Sequence, residues 1–190
     1  MKPQIRVLGI DDSSFKFGDE RATIVGVAMR LPNYLEGVMT STVEIDGMDS
    51  TDRVLEMLSR SRYMDQLKLI MLDGAALGGF NVVDVKRIHE ATEIPVATLT
   101  RDSPDYGHIE SALRKHFDDW KMRLDMLRSI ELEEYDTGHT PIYVGRMGIE
   151  REEMAEILRA STVQGALPEA LRVAHLIATA MVRGESRGRA

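Results

Sequence analysis

The run LKLIMLD, residues 67–73, constrains the fold of this 190-residue chain more than any other segment, being apolar at nearly every position and closed by an aspartate. A strand with one wet face alternates polar and apolar residues, so a continuous apolar run of this length demands cover on both faces. It predicts a central strand with helices on either side. Two further apolar runs end on acids in the same way, IRVLGID at Asp11 and STVEID at Asp46. Neighbouring strands lie about 4.8 Å apart, so acids at adjacent strand ends can reach one point. Three carboxylates gathered there repel one another and are pushed toward protonation unless a cation sits between them. A hard divalent ion, Mg2+ or Mn2+, suits such an oxygen-rich set.

Residues 4–10 predict the first strand, and ATIVGVAMR and EGVMTSTVEI, parted by LPNYL, an antiparallel pair that returns on it. In DGMDSTDRVLEMLSRSR, Val54, Leu55 and Leu58 stand at helical spacing behind Ser50 as a candidate N-cap. The glycine-rich DGAALGG then leads into a helix over FNVVDVKRIHEAT and a buried strand over IPVATLT, a parallel crossover pattern. YGHIESALRKHFDDWKMRLDMLRSI repeats apolar residues every three to four positions and predicts one long amphipathic helix. Two short strands around DTGH and a helix over GIEREEMAEILRAS follow. The last helix, LPEALRVAHLIATAMV, is mostly apolar and expected to be buried, with Pro168 near its first turn. Three antiparallel strands, a helix, then alternating strands and helices is the order of a ribonuclease H-like α/β fold: a mixed sheet flanked by helices, in one domain over 1–190.

Composition narrows the chemistry. The chain has no cysteine, which removes disulfides, thiolate nucleophiles and Cys-based zinc sites, and leaves Asp, Glu and His as metal ligands. No apolar run approaches the roughly 20 residues of a membrane span, and no signal-peptide core precedes the first acids, so a cytoplasmic location and no membrane partner are expected. The net charge of −7 argues against coating nucleic acid by bulk electrostatics. Charge is uneven, however: Arg183, Arg187 and Arg189 in MVRGESRGRA form a strip that suits either a nucleic acid or the negative pole of a helix end.

Asp73 opens an Asp-Gly pair, a common turn, but it shares its apolar-run-then-acid setting with Asp11 and Asp46. Asp12 serves as a ligand or begins the DDSS turn. Glu44, Asp46 and Asp49 compete for one role; Asp49 also suits a helix cap, and Asp46 is favoured because it ends the strand directly. His175 lies in the last helix, with Arg172 three positions before it and Glu169 three before that, so all three share a face. A histidine there ordinarily packs, yet a buried face with Glu, Arg and His needs internal partners: a water on the metal, a ligand carboxylate or a phosphate. Arg101, at the end of IPVATLT, arrives at the same edge as Asp73, to hold a phosphate oxygen or to pair with Asp102 or Asp105.

Taken together, GIDDSSF, LDGAALGGFNVVD and above all LPEALRVAHLIATAMVRGESRGRA resemble the mainly archaeal endonuclease dU family, distantly similar to endonuclease V, over nearly the whole chain. The resemblance implies a ribonuclease H-like fold and metal-dependent cleavage of nucleic acid, DNA before RNA, at deaminated bases such as deoxyuridine and, second to it, deoxyinosine. Asp11 matches the acid of Gly-x-Asp in endonuclease V, Asp46-Gly47 its Glu-Gly and Asp73-Gly74 its Asp-Gly. Pro168-Glu169, Arg172, Ala174 and His175 match its Pro-Glu-x-x-Arg-x-Ala-His/Asp segment, and Arg101 stands where it has lysine. The Pro-Tyr-Ile-Pro-Gly wedge of endonuclease V has no counterpart before Asp46, where this chain reads GVMTSTVEI.

The expected site therefore has Asp11, Asp46 and Asp73 holding Mg2+ or Mn2+ for hydrolysis. His175 moves a proton or orients a second ion, and Arg101 and Arg172 contact substrate. Two other classes compete. A receiver-like phosphoacceptor would use the acids near Asp11 and Asp73, although residues 22–45 insert two strands where a receiver has a helix. A non-catalytic nucleic-acid-binding module would bind without cutting.

Overall fold

A computed structural model describes residues 4–16 and 18–186 of the chain; Arg187 and Arg189 of the predicted basic strip lie outside them. Strands β1 (Arg6–Asp12), β2 (Arg21–Arg30) and β3 (Tyr34–Glu44) form the expected antiparallel meander. Helix α1 (Ser50–Ser59) crosses to β4 (Leu67–Asp73), which pairs parallel with β1. Helix α2 (Val85–Thr92) leads to β5 (Val96–Thr100), parallel to β4. Beyond α3 (Tyr106–His116) and α4 (Trp120–Arg128) come β6 (Leu132–Tyr135) and β7 (Ile142–Met147), antiparallel to each other, with β7 antiparallel to β5. Helices α5 (Arg151–Ser161) and α6 (Glu169–Arg183) follow. The sheet order is β3-β2-β1-β4-β5-β7-β6, a mixed seven-stranded sheet flanked by helices. The opening meander removes the receiver-like reading, whose fold alternates strand and helix from the start.

Alternation along the strands sorts the core into two layers. Leu8, Ile10, Ile70 and Leu72 pack with Val54, Leu58, Val85 and Ile88 of α1 and α2. Val7, Leu69 and Met71 pack on the other face with Met154, Leu158, Ala170, Leu171 and Ala174 of α5 and α6. Gly9 belongs to that second face, and α6 rests on it directly: a Cβ at Gly9 would lie 2.5 Å from the Ala170 carbonyl carbon and 2.6 Å from the Leu171 nitrogen. Backbone atoms of a buried helix cannot yield as a side-chain tip does. Gly9→Ala is therefore expected to cost on the order of 3 kcal/mol in chemical denaturation and to push α6 away from β1.

Three expectations need correction. The acid-bearing strands are not all neighbours, because β2 lies between β1 and β3. The long helix over 106–130 is broken at Phe117, which is extended (φ −135°, ψ 129°), so that α3 and α4 pack as a hairpin. The break falls at Asp118-Asp119, residues that favour helix starts over interiors, and Asp119 occupies the N-cap position of α4. Finally, α6 buries one face only: Met181 and Val182 near its end are exposed. Among the described residues no helix is long and apolar enough to cross a membrane.

Candidate metal centre and adjoining cavity

Gly9 and Asp11 share a face of β1, as do Met71 and Asp73 on β4, and both pairs look toward α6. Ile10 is in register with Leu72, so Asp11 and Asp73 emerge side by side at the carboxyl edge of two parallel strands. The close seat of Ala170 and Leu171 on Gly9 fixes the height of α6, and one turn later His175 meets the acids. Its Nδ1 lies 2.9 Å from Asp11 Oδ2. Ligand atoms of Asp11, Asp73 and His175 all lie within 4.8 Å of one another.

Burial, followed by the charges of Asp73 and Asp12, pushes the Asp11 carboxyl from its ordinary 3.8 up to about 7, against the pull of the Asp12 backbone N–H and of His175. Asp73 is raised by burial too, opposed first by the charge of Arg101 and then by His175. Two carboxylates and an imidazole at this spacing, with the acids held above their ordinary range, form a donor set whose strain a divalent cation relieves. The residues present thus fit Mg2+ or Mn2+.

The other acids have other work. Asp12 stands at the same strand edge and lines the same cleft, its Oδ2 accepting from the Gly78 N–H at 2.9 Å. Asp46, expected as a third ligand, is exposed and is not part of the group that Asp11, Asp73 and His175 form. Its Oδ1 accepts from Phe80 N–H and its own N–H donates to the Gly78 carbonyl, both at 2.8 Å. Asp49 accepts from the Glu44 N–H at 3.0 Å and from Asn81 Nδ2 at 2.7 Å. Asp12 and Asp46 thereby tie down the glycine-rich loop over 74–84 from both sides.

Among the predicted cations, Arg101 sits just past β5, close enough for its charge to act on Asp73. Arg172, expected on substrate, instead forms a two-bond pair with Glu169 at 2.8 and 2.7 Å, a turn below the cluster. Arg183 does reach the site: with Asp11, Asp73, His175 and Phe15 it lines an open cleft of about 390 Å³.

A second, apolar cavity of about 270 Å³ begins at Gly74, the residue after Asp73, and runs beneath Phe80 to Leu99, Tyr106, Met126 and Leu127. Tyr106, Ile109, Met126 and Leu127 of the α3–α4 hairpin contribute to its wall, and one long helix over these residues offers no such cavity. Arg123 was missed as well. It is buried, stacks on Phe117 at 4.3 Å, and donates from Nε to Asp119 at 2.8 Å. Its Nη1 donates to the carbonyls of Asp46, Gly47 and Phe80 at 2.8 to 2.9 Å. The available signal was an arginine three positions past Trp120, on the apolar stripe of its helix.

The family model of endonuclease dU matches residues 3–182. The chain belongs to the endonuclease dU family. A UPF0215 protein of Methanothermobacter thermautotrophicus is 43% identical over 100% of this chain and 94% of its own length. The crystal structure of an Archaeoglobus fulgidus protein of unknown function is similar with a TM-score of 0.85 at 35% identity, over 95% of this chain and 100% of that one. Endonuclease V of Ciona intestinalis, solved with DNA containing an inosine, is similar with a TM-score of 0.61 at 14% identity, over 90% of this chain and 82% of that one. This endonuclease dU family member therefore has the ribonuclease H-like fold of endonuclease V.

Proposed function

We propose that the protein is a metal-dependent endonuclease that hydrolyses a phosphodiester bond beside a deaminated base in DNA, deoxyuridine foremost. The observation that carries this reading is the meeting of Asp11, Asp73 and His175 at one strand edge. A divalent ion held there would lower the pKa of a water and offset charge on the leaving oxygen. Asp11 and His175 share a hydrogen bond through which a proton can be held or passed. Arg101, beside Asp73, is placed to bind a phosphate oxygen and stabilise the charge that grows there. The apolar cavity opening next to Asp73, with Phe80 and Tyr106 in its lining, has the size to take an extruded pyrimidine. Membership in the endonuclease dU family and the DNA bound by the Ciona enzyme support the substrate class.

The test is incubation with labelled oligonucleotides carrying uracil, hypoxanthine or no lesion, with Mg2+, Mn2+ or EDTA. Nicking at uracil that requires metal is expected. Equal cutting of undamaged strands would remove the repair role, and binding without any cutting would leave a nucleic-acid-binding module.

A further inference from the structure

We propose that Phe15 and Arg183 form a nucleotide-binding subsite on the rim of the acid cleft, gripping the strand next to the cleaved bond by stacking and by charge; this rests on the nucleic-acid reading above. Phe15 is a large apolar residue left 39% exposed among carboxylates. Its segment is anchored: Ser13 N–H donates to the Thr23 carbonyl at 2.7 Å, and Ser13 Oγ accepts from Thr23 N–H at 3.1 Å. The ring tip stands over Gly79, in the loop that separates the cleft from the apolar cavity. From the far end of α6, Arg183 approaches the same rim and donates from Nε to Ser14 Oγ at 3.2 Å.

An aromatic face and a guanidinium, set together beside a candidate metal centre, match a base and a phosphate of one nucleotide. Stacking offers no hydrogen bonds to base edges, so this subsite accepts any base. It therefore serves the neighbour of the lesion, while the apolar cavity takes the lesion itself.

A single-tryptophan reporter tests the subsite without relying on cleavage. In a Trp120→Phe, Asp73→Asn background, Phe15→Trp places the one indole on the rim. Thymidine oligonucleotides are expected to quench it, and an abasic oligonucleotide of equal length is not. Phe15→Ala should weaken anisotropy-measured binding of single strands about tenfold. Arg183→Ala should weaken normal and abasic strands alike. Phe15→Leu, with unchanged thermal unfolding, should behave as Phe15→Ala if stacking rather than bulk matters. Mn2+ binding to the wild type by calorimetry, together with strand binding that leaves the indole unquenched, would overturn the subsite and spare the metal centre. Absence of both Mn2+ and strand binding would overturn the proposed function and the subsite with it.

Discussion

Replacing Asp73 by Asn is expected to lower metal-dependent cleavage by at least about 10²-fold while raising the unfolding temperature of the metal-free protein by about 5 °C. The loss follows from removing a proposed ligand where charge must be offset. The gain follows from the cost of assembling the site. Asp11 is pushed from 3.8 to about 7, chiefly by burial and then by Asp73, and each pKa unit is worth about 1.4 kcal/mol. Both acids are raised, so the folded chain binds protons more tightly than the unfolded chain. Below the ordinary carboxylate range both states are protonated and the penalty is absent. As pH climbs from about 4 to about 7, the unfolded chain releases protons the folded chain still holds, and stability drains away. Thermal melts of wild type and Asp73→Asn should accordingly coincide at the acid end of this window and separate toward neutrality. Added Mn2+ should close the gap at high pH by stabilising the wild type, since binding there no longer competes with protons.

Arg123→Met is expected to destabilise the protein by about 3 kcal/mol and to loosen the loop over 74–84. Three carbonyls and the Asp119 carboxylate lose their donor at once, and methionine cannot replace one of those bonds. Arg123→Lys should recover part of the loss, because an ammonium still donates but lacks the planar fork. Denaturant titration reads the first effect, and hydrogen exchange at residues 75–83 reads the second. Since Phe80 forms a wall of the apolar cavity, discrimination between uracil and undamaged DNA should fall in both variants more than cutting itself does.

The strands and the Asp11–Asp73 pair were legible because they follow from short-range rules: alternation, an unbroken apolar run, and parallel register at adjacent strand ends. His175 was legible only as a helical face that needed partners. The local pattern of Asp46 matches that of the other two acids, and local pattern carries no information about which strand is inserted between them. The break at Phe117 was hidden for a related reason. The apolar stripe continues through it, since both halves of the hairpin face common neighbours, and only Asp118-Asp119 mark the interruption. Cavities are harder still, because their walls come from segments far apart in the chain and their emptiness has no residue of its own.

The contact between Asp11 and His175 joins residues 164 positions apart. A chain emerging from the ribosome therefore exposes its first acids long before the helix that completes their environment has been made. Until α6 settles on Gly9, the acids have no histidine beside them, so a partly synthesised product lacks one member of the candidate metal centre.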